Sequence, residues 1–192
     1  MEQPYIVDKT FDKSDFNKHP LSTGEYENCE FVSCDFSQND LSNFVFTDCV
    51  FIGCNLSLVK LSKTAFRNIQ FKDCKMLGLH FNDCNAFGLS FSFDNCLLNL
   101  STFYQIKIPR TIFKNSQLQE TDFSNSDLTG SKFENCDLYL ATFDHTILEK
   151  ADFRSSFNYS IDLELNKIKK AKFSLSGIRG LLNKYDIEIE SD

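Results

Sequence analysis

Apolar side chains recur at every fifth position along almost the whole chain. Stepping by five from Phe11 to Phe91 meets an apolar residue at all 17 positions, and Ile6 extends this register toward the N-terminus. The register then shifts by two residues, and stepping from Leu98 to Ile178 meets 16 apolar residues in 17 positions. Neither an amphipathic helix nor a long strand has a period of five. The pattern predicts a repeat architecture in which one coil contains several five-residue units.

The position two residues before each large apolar residue is also distinctive. It holds all eight cysteines, and most of its other members are Ser, Thr, Ala, Val, Ile or Leu. Residues two apart on an extended segment point to the same side. Each unit is therefore predicted to bury one small and one large side chain, to expose the residue between them, and to turn a corner with the remaining two.

Residue types match in columns at a spacing of 20, which predicts four units per coil and an all-β, four-sided solenoid. One column contains Phe11, Phe31, Phe51, Phe71 and Phe91, and another contains Phe113, Phe133, Phe153 and Phe173. A two-residue bulge within Ser92–Cys96, at one corner, would join these two columns into one of nine phenylalanines. The solenoid is expected to span residues 1–175, and residues 176–192 to form a C-terminal cap or dimerisation module.

The paired cysteines Cys29/Cys34 and Cys49/Cys54 have spacings loosely compatible with zinc ligands. However, every cysteine falls in the small inward slot, where a free thiol behaves as a small apolar side chain. One column of the predicted coil would place the Cα atoms of neighbouring cysteines within disulfide range; it contains Cys34, Cys54, Cys74 and Cys96. However, their side chains would point in parallel and not toward one another. We therefore expect buried, reduced thiols, no metal, no cofactor and a cytoplasmic protein, since no secretion signal precedes the repeats.

Three five-residue units carry a family resemblance: ETDFS (120–124), NSDLT (125–129) and ENCDL (134–138). They resemble the A(D/N)Lxx units of pentapeptide-repeat proteins, and the resemblance covers residues 6 to about 178. It implies a right-handed quadrilateral β-helix. The stretches CNAFGLSFSFDNC (84–96) and IDLELNKIKKAKF (161–173) further resemble the Qnr and McbG-like group. That resemblance implies an acidic, dimeric DNA mimic that engages a type II topoisomerase, DNA gyrase or topoisomerase IV.

The five-residue pattern fades after Phe173. Ile178, Leu181, Leu182 and Tyr185 have helical spacing, with Ser176 as a candidate N-cap, and Asp186–Glu190 alternates like a short strand. A solenoid needs a cap over its last coil, and the same element can serve as a two-fold interface. The predicted dimer interface comprises Ile178, Leu181, Leu182, Tyr185, Ile187 and Ile189.

Charge provides the remaining functional signal. The formal net charge is −7, which disfavours direct contact with nucleic acid or an anionic membrane and allows a basic protein partner. The predicted partner-binding acidic surface comprises Glu120, Asp122, Asp127, Glu134, Asp137 and Asp144. Solubility alone would also explain these charges, and Lys60, Lys63 and Lys75 interrupt them in mid-chain.

No constellation typical of an enzyme occurs in the sequence, because the three histidines are far apart and no phosphate-binding glycine loop or HExxH motif is present. His19 is expected at an inward position. The sequence is therefore compatible with two functions. One is a non-enzymatic DNA mimic that inhibits or protects a topoisomerase, and the other is a scaffold solenoid that binds another protein.

Overall fold

The computed structural model describes residues 4–185, 187–188 and 190, and it is built from short parallel strands wound into a coil. Four strands form one sheet: β1 (Tyr5–Val7), β3 (Glu25–Glu27), β5 (Val45–Thr47) and β7 (Ala65–Arg67). Seven strands form the other, in the order β11-β10-β9-β8-β6-β4-β2. They are β2 (Thr10–Asp12), β4 (Glu30–Val32), β6 (Val50–Ile52), β8 (Ile69–Lys72), β9 (Phe91–Asp94), β10 (Ile112–Lys114) and β11 (Lys132–Glu134).

Every strand pairs with the equivalent segment of the next coil. The paired residues are 20 apart through most of the chain, as in Phe11 with Phe31 and Phe113 with Phe133. Isolated parallel bridges continue the same register on the other sides, for example Asp122 with Thr142. The predicted 20-residue coil, and hence the four-sided β-solenoid, is confirmed.

Four sides can be named by the bridges they carry. Side 1 is the seven-stranded sheet. Side 2 follows it along the chain and includes Asp35, Leu97 and Asp137; side 3 includes Asp40, Thr102 and Asp122. Side 4 begins with the four-stranded sheet and resumes at the Lys107–Asp127 bridge.

The two longest columns of aromatic rings in the interior lie on sides 1 and 3. On side 1, nine phenylalanines stack in sequence with centroids 4.5–5.5 Å apart: Phe11, Phe31, Phe51, Phe71, Phe93, Phe113, Phe133, Phe153 and Phe173. On side 3, Phe81, Phe103, Phe123 and Phe143 stack at 4.4–5.1 Å. Rings of the two columns meet edge to face, as Phe113 and Phe123 do at 82°. Both arrangements are favoured by the ring quadrupole.

The column of nine was predicted, but its fifth member was not. Phe93, not Phe91, pairs with both Phe71 and Phe113. Lys63 is still bonded to Asp83 at a spacing of 20, whereas Gln70 pairs with Ser92 at a spacing of 22. The two extra residues therefore lie within the loop of residues 84–90 on side 4, and the prediction of a bulge at Ser92–Cys96 was wrong.

The same loop changes the roles of its neighbours. Ala86, predicted to point inward, is exposed, and Phe91 occupies the position two before the column residue, where most units have a small side chain. Leu89 is buried and supplies the apolar contact at this level. The pairing of side 4 is interrupted here, which is why the four-stranded sheet ends at β7.

A short helical segment follows the last coil. Helix α1 comprises Arg179–Leu182 and continues as a 3-10 turn over Asn183–Tyr185; a second 3-10 turn, Phe81–Asp83, lies before the loop. The cap residue of α1 is Ile178 rather than Ser176, and no side chain caps it. The strand predicted over residues 186–190 is absent at Ile187, Glu188 and Glu190, while Asp186 and Ile189 lie outside the described residues.

Candidate partner-binding surface

Carboxylate and amide side chains hold the corners of the coil. The exposed residue before each large inward residue is often Asp or Asn, and its Oδ1 accepts the backbone N–H two residues later, as Asp122 does from Ser124 at 2.8 Å. Asp127 and Asp137 accept in the same way from Thr129 and Tyr139. Such side-chain turns are a general use of Asp and Asn. These carboxylates are therefore fixed in place, which makes the surface rigid.

The six predicted acidic residues are not on one surface. Asp122 and Asp144 lie on side 3, Asp137 lies on side 2, and Glu120 lies at the corner between them. Asp127 lies on side 4 and Glu134 lies on side 1, so both are on sides of the coil other than those that carry the first four residues. The structure thus brings four of the predicted residues together and separates the other two from them.

Sides 2 and 3 form a continuous acidic surface in the C-terminal half, which we call the acidic side. It comprises residues 97–106, 117–126, 137–146 and 157–166, and these segments contain no Lys or Arg. Its carboxylates are Glu120, Asp122, Asp137, Asp144, Asp162 and Glu164. The last two were missed in the sequence, although folding it into 20-residue rows would have placed them there.

Lys184, from outside these segments, contacts the acidic side. Lys184 Nζ lies 2.8 Å from both Asp162 Oδ1 and Glu164 Oε2. The hydrogen bond from Lys184 lowers the pKa of each carboxyl below its ordinary value. Lys184 thereby ties the C-terminal segment to the last level of the acidic side, and the other four carboxylates remain as its charged surface.

Asp137 is the most heavily bonded of those four. Its Oδ2 accepts from Gln119 Nε2 at 2.7 Å, and its Oδ1 accepts from Asn158 Nδ2 at 2.8 Å. Asn158, the one polar residue in the five-residue register, points outward with φ +61°, and Tyr159 is buried in its place. The interruption noticed in the sequence is therefore a local distortion that keeps Asp137 positioned.

Large apolar side chains are exposed on the same acidic side. Leu100, Leu140 and Tyr139 are 61%, 61% and 53% exposed, and Phe157 is 49% exposed. Leu100 and Leu140 have φ of +62° and +56°, a conformation that costs an ordinary residue on the order of 1 kcal/mol. Leucine contributes no side-chain hydrogen bond to such a corner. A contiguous exposed apolar patch indicates a contact surface, whereas single exposed apolar side chains are ordinary.

Sides 4 and 1 of the same half have the opposite charge, and we call them the basic side. It comprises residues 107–116, 127–136, 147–156 and 167–176. Ten basic residues lie here: Lys107, Arg110, Lys114, Lys132, Lys150, Arg154, Lys167, Lys169, Lys170 and Lys172. Only four acidic residues accompany them: Asp127, Glu134, Glu149 and Asp152. The two sides are separated by the aromatic core.

The loop of residues 84–90 provides a second exposed feature, on side 4. Phe87 is 78% exposed, and the Arg67 guanidinium lies 5.8 Å from its ring centroid. Gly88 has φ +71° and passes over the stem of Arg67. Arg67 Nε is buried and has no hydrogen-bond partner among the described atoms. This loop interrupts the regular pairing of side 4 and projects the Phe87 side chain from its surface.

The predicted dimer residues divide into two groups. Leu181 is partly buried and packs against the core, and Leu182 is also partly buried, so these two cap the last coil. Ile178, Tyr185 and Ile187 are 40%, 47% and 55% exposed. Ile189 lies outside the described residues. An exposed apolar face therefore remains beside the cap.

A groove of about 500 Å³ separates this cap from the solenoid, with Tyr139, Phe157, Arg179 and Asn183 along it. Tyr159 lies beneath the cap and is 4% exposed; burial raises the pKa of its hydroxyl. An added Cβ at Gly177 would lie 1.9 Å from Tyr159 Oη, and one at Gly180 would lie 2.1 Å from the Tyr159 carbonyl oxygen. The cap can approach this closely only because both positions are glycine.

The thiols fill the interior as predicted. All eight cysteines are free, seven of them are buried, and Cys84 is half-buried beside the loop. The Sγ atoms of the seven buried cysteines lie within 3.2–3.6 Å of backbone carbonyl oxygens, as that of Cys136 does to Phe113 at 3.3 Å. Burial raises the pKa of the Cys49 and Cys136 thiols to about 12, so they remain protonated and poorly reactive at neutral pH.

The histidines and acidic groups form no catalytic or metal-binding cluster among the described residues. His19, expected to point inward, is exposed, because residues 17–20 leave the coil. His80 is exposed, and His145 Nδ1 lies 2.9 Å from Asp144 Oδ1 at the surface. Within the described part of the chain, no three metal-ligating side chains converge, and no helix is long and apolar enough to cross a membrane.

Comparison with known proteins identifies the repeat. A model described as "Pentapeptide repeat region" matches residues 25–92, and one described as "Pentapeptide repeats (8 copies)" matches residues 116–154. Together they cover more than half of the chain. No relative is found among the curated proteins.

Three solved structures match the chain with different degrees of similarity. A trypsin-treated variant of QnrB1, a plasmid-mediated fluoroquinolone resistance protein, matches with 19% identity and a TM-score of 0.51 over 99% of each chain. Full-length QnrB1 matches with 21% identity and a TM-score of 0.45 over 96% of this chain and 100% of its own. HetL, a protein of heterocyst differentiation regulation from the cyanobacterium Nostoc, matches with 15% identity and a TM-score of 0.34 over 92% of this chain and 87% of its own. At 19% identity, the likeness to the trypsin-treated QnrB1 variant concerns the fold alone.

Proposed function

The chain belongs to the pentapeptide-repeat family, and from this premise we propose that it is a non-enzymatic binding protein. Its acidic side occupies the DNA-binding surface of a type II topoisomerase, either DNA gyrase or topoisomerase IV. One observation carries the proposal: six carboxylates and no Lys or Arg lie on sides 2 and 3 from residue 97 to residue 166. Surfaces that bind DNA are basic because they neutralise phosphates. A rigid row of carboxylates is complementary to such a surface.

The exposed apolar residues refine the mode of binding. Carboxylates alone would imitate the charge of DNA phosphates. The acidic side also exposes apolar side chains that a protein partner can bury, namely Leu100, Tyr139, Leu140 and Phe157. Interfaces gain most of their affinity from a few such buried anchors, while charge provides association rate and register. The acidic side is therefore expected to bind a protein surface that is basic and also has apolar recesses.

A supercoiling assay tests this proposal with a matched pair of variants. Glu120→Gln with Asp122→Asn removes two charges from the acidic side, while asparagine retains the Oδ1 that accepts from Ser124. Glu134→Gln with Asp127→Asn removes two charges from the basic side and likewise preserves the turn at Thr129. Wild type is expected to inhibit or protect gyrase or topoisomerase IV, with and without a quinolone. The acidic-side variant should need about tenfold more protein, equivalent to about 1.4 kcal/mol.

Two outcomes would overturn the proposal. One is no effect of wild type on either enzyme in any condition. The other is an equal loss in both variants, which would mean that only total charge matters. Circular dichroism must show the same fold in both variants before the comparison is made.

Dimerisation and location belong to the same proposal. The exposed Ile178, Tyr185 and Ile187 form an apolar face beside the cap, and we assign it to a second copy of the chain, since two-fold pairing would cover it and lengthen the acidic surface. A cytoplasmic location is consistent with eight free thiols, because cytosolic thiols stay reduced.

A scaffold function is the second candidate. It is favoured by the loop of residues 84–90, where Phe87 is exposed with Arg67 against its ring, on side 4 and not on the acidic side. Aromatic and arginine side chains are frequent anchors of protein interfaces. If Phe87→Ala abolished binding to a captured partner while the acidic-side variant retained it, the scaffold function would be preferred.

A further inference from the structure

Five lysines crowd the C-terminal end of the basic side. Lys150 and Lys170 occupy equivalent corner positions of adjacent coils, and the N–H of Lys150 is bonded to the carbonyl of Lys169 at 2.9 Å. Lys167 continues side 4 through its bridge with Ile147, and Lys172 starts side 1 through its bridge with Asp152. All five are exposed, and none is within ion-pair distance of a described carboxylate.

The acidic neighbours do not neutralise this cluster. Asp152 lies 2.7 Å from Arg154, which lowers the pKa of its carboxyl through a hydrogen bond. Glu149 is the remaining acidic residue on the basic side of the two coils that carry the five lysines. The cluster therefore has a large local positive charge on a chain whose net charge is −7.

Most carboxylates of the acidic side lie across the aromatic core from the lysines, and Asp144 lies next to the corner where side 3 meets side 4. In solution at about 0.1 M salt, the Debye length is about 10 Å, so exposed charges on opposite sides are largely screened from each other. Net charge is then a poor guide to what the basic side can bind. The sequence-based expectation of no direct nucleic-acid contact rested on net charge alone.

The dimensions of the basic side suit a duplex. From the level of Arg110 to the level of Lys170 there are three coil intervals, which is about 14 Å at the strand spacing. A DNA duplex carries one phosphate charge per about 1.7 Å of axis, so a segment of this length presents about eight charges. Parallel rows of flexible lysines on a flat wall can follow such a backbone without reading its sequence.

A membrane is a poorer fit for the same charges. Stable attachment to lipid combines basic residues with apolar side chains that enter the bilayer interface. On the basic side only Ile112 and Leu175 are large, apolar and exposed, and they lie at opposite ends of it. Between residues 97 and 166, the exposed leucines and aromatic residues, such as Leu100 and Tyr139, lie on the acidic side.

We propose that the basic side, centred on Lys150, Lys167, Lys169 and Lys170, binds the phosphate backbone of duplex DNA. Binding is independent of sequence and of any topoisomerase. The rod thus has one side that resembles DNA in charge and an opposite side that contacts DNA, so one molecule can lie between an enzyme and a duplex. The DNA contact does not require that the acidic side bind an enzyme.

Fluorescence anisotropy of a labelled 30-base-pair DNA duplex tests this directly, with the full chain and no enzyme. If four lysines contact phosphates, the slope of log K against log salt is about −4, and affinity falls about 100-fold between 50 and 200 mM salt. The variant Lys167→Gln/Lys169→Gln/Lys170→Gln should reduce the slope to about −1 and bind at least tenfold more weakly at 50 mM salt. Its thermal midpoint is measured first to show that it folds.

The matched control is Lys60→Gln/Lys63→Gln/Lys75→Gln. It removes the same charge from exposed lysines on sides 2 and 3 of the N-terminal half, and it should leave DNA binding unchanged within about twofold. The proposal is overturned if wild type shows no salt-dependent binding at 50 mM salt. It is equally overturned if the control weakens binding as much as the basic-side variant, or if vesicles containing phosphatidylserine are bound more tightly than the duplex.

Discussion

Replacing Phe133 by alanine removes one ring from the middle of the nine-ring column. Phe133 is fully buried, stacks on Phe113 at 4.9 Å and on Phe153 at 4.5 Å, and meets Phe123 and Phe143 edge to face. A buried Phe→Ala substitution costs about 3–5 kcal/mol, because transfer free energy is lost and a cavity remains. Since the neighbouring rings are held by backbone pairing above and below, the cavity cannot readily collapse. We therefore expect the upper part of that range.

Urea unfolding followed by circular dichroism measures this loss. Phe87→Ala is the control, because its ring is 78% exposed and should contribute about 1 kcal/mol or less. Solenoids can unfold coil by coil, so the two variants must have similar urea dependence for the comparison to stand. A cost below about 1 kcal/mol for Phe133→Ala, or equal costs for the two variants, would refute the stacked-column reasoning.

Three further predictions concern the thiols, the cap and the dimer. Burial raises the pKa of Cys49 and Cys136 from 9.0 to about 12, so only the unfolded chain ionises these thiols as the pH rises from 9, and the free energy of unfolding should fall between pH 9 and 12. The variant Cys136→Ser, which introduces the side chain that Ser116 and Ser156 already have in the same column, should make this fall less steep. An unchanged dependence of the free energy of unfolding on pH would contradict the prediction. Gly177→Ala should destabilise the chain by about 1–3 kcal/mol because its Cβ would meet Tyr159 Oη, and the penalty should shrink in a Tyr159→Phe background; equal penalties in urea unfolding would contradict the contact. Ile178→Asp should convert a dimer to a monomer by light scattering while leaving the circular dichroism unchanged, and a wild type that is already monomeric would exclude the interface.

The coil itself could be predicted because its repeating positions hold residue types that differ sharply. Phe and Leu occupy the large inward positions, whereas Ser, Cys and Asp occupy the neighbouring ones. The position of the two-residue insertion could not. Ser90-Phe91-Ser92-Phe93 alternates in such a way that both phenylalanines point inward and either can be assigned to the column, and Ala86 satisfies the apolar count while lying at the surface. Only the pairing of Phe93 with Phe71 and Phe113 decides between them.

The position of the acidic residues in the coil was predicted in part. Glu120, Asp122, Asp137 and Asp144 were correctly placed near one another, but Asp127 and Glu134 were grouped with them because they are near in sequence. In a coil of 20 residues, a carboxylate five or ten residues away lies on another side, so sequence proximity misleads. The C-terminal segment was harder still: its helix is only four residues long, because the cap is shaped by Gly177 and Gly180 packing on Tyr159 rather than by helical spacing.

The central claim is that equivalent residues of successive coils lie one above another, which places acidic and basic residues on opposite sides. A crystal structure of the chain tests it most directly through the side-1 aromatic column. We predict an unbroken stack in which Phe93 lies between Phe71 and Phe113 at about 5 Å from each, as in ordinary offset stacking, with Asp122 and Lys170 on opposite sides. Phe91 in that stack, or Asp122 and Lys170 on one side, would contradict the account.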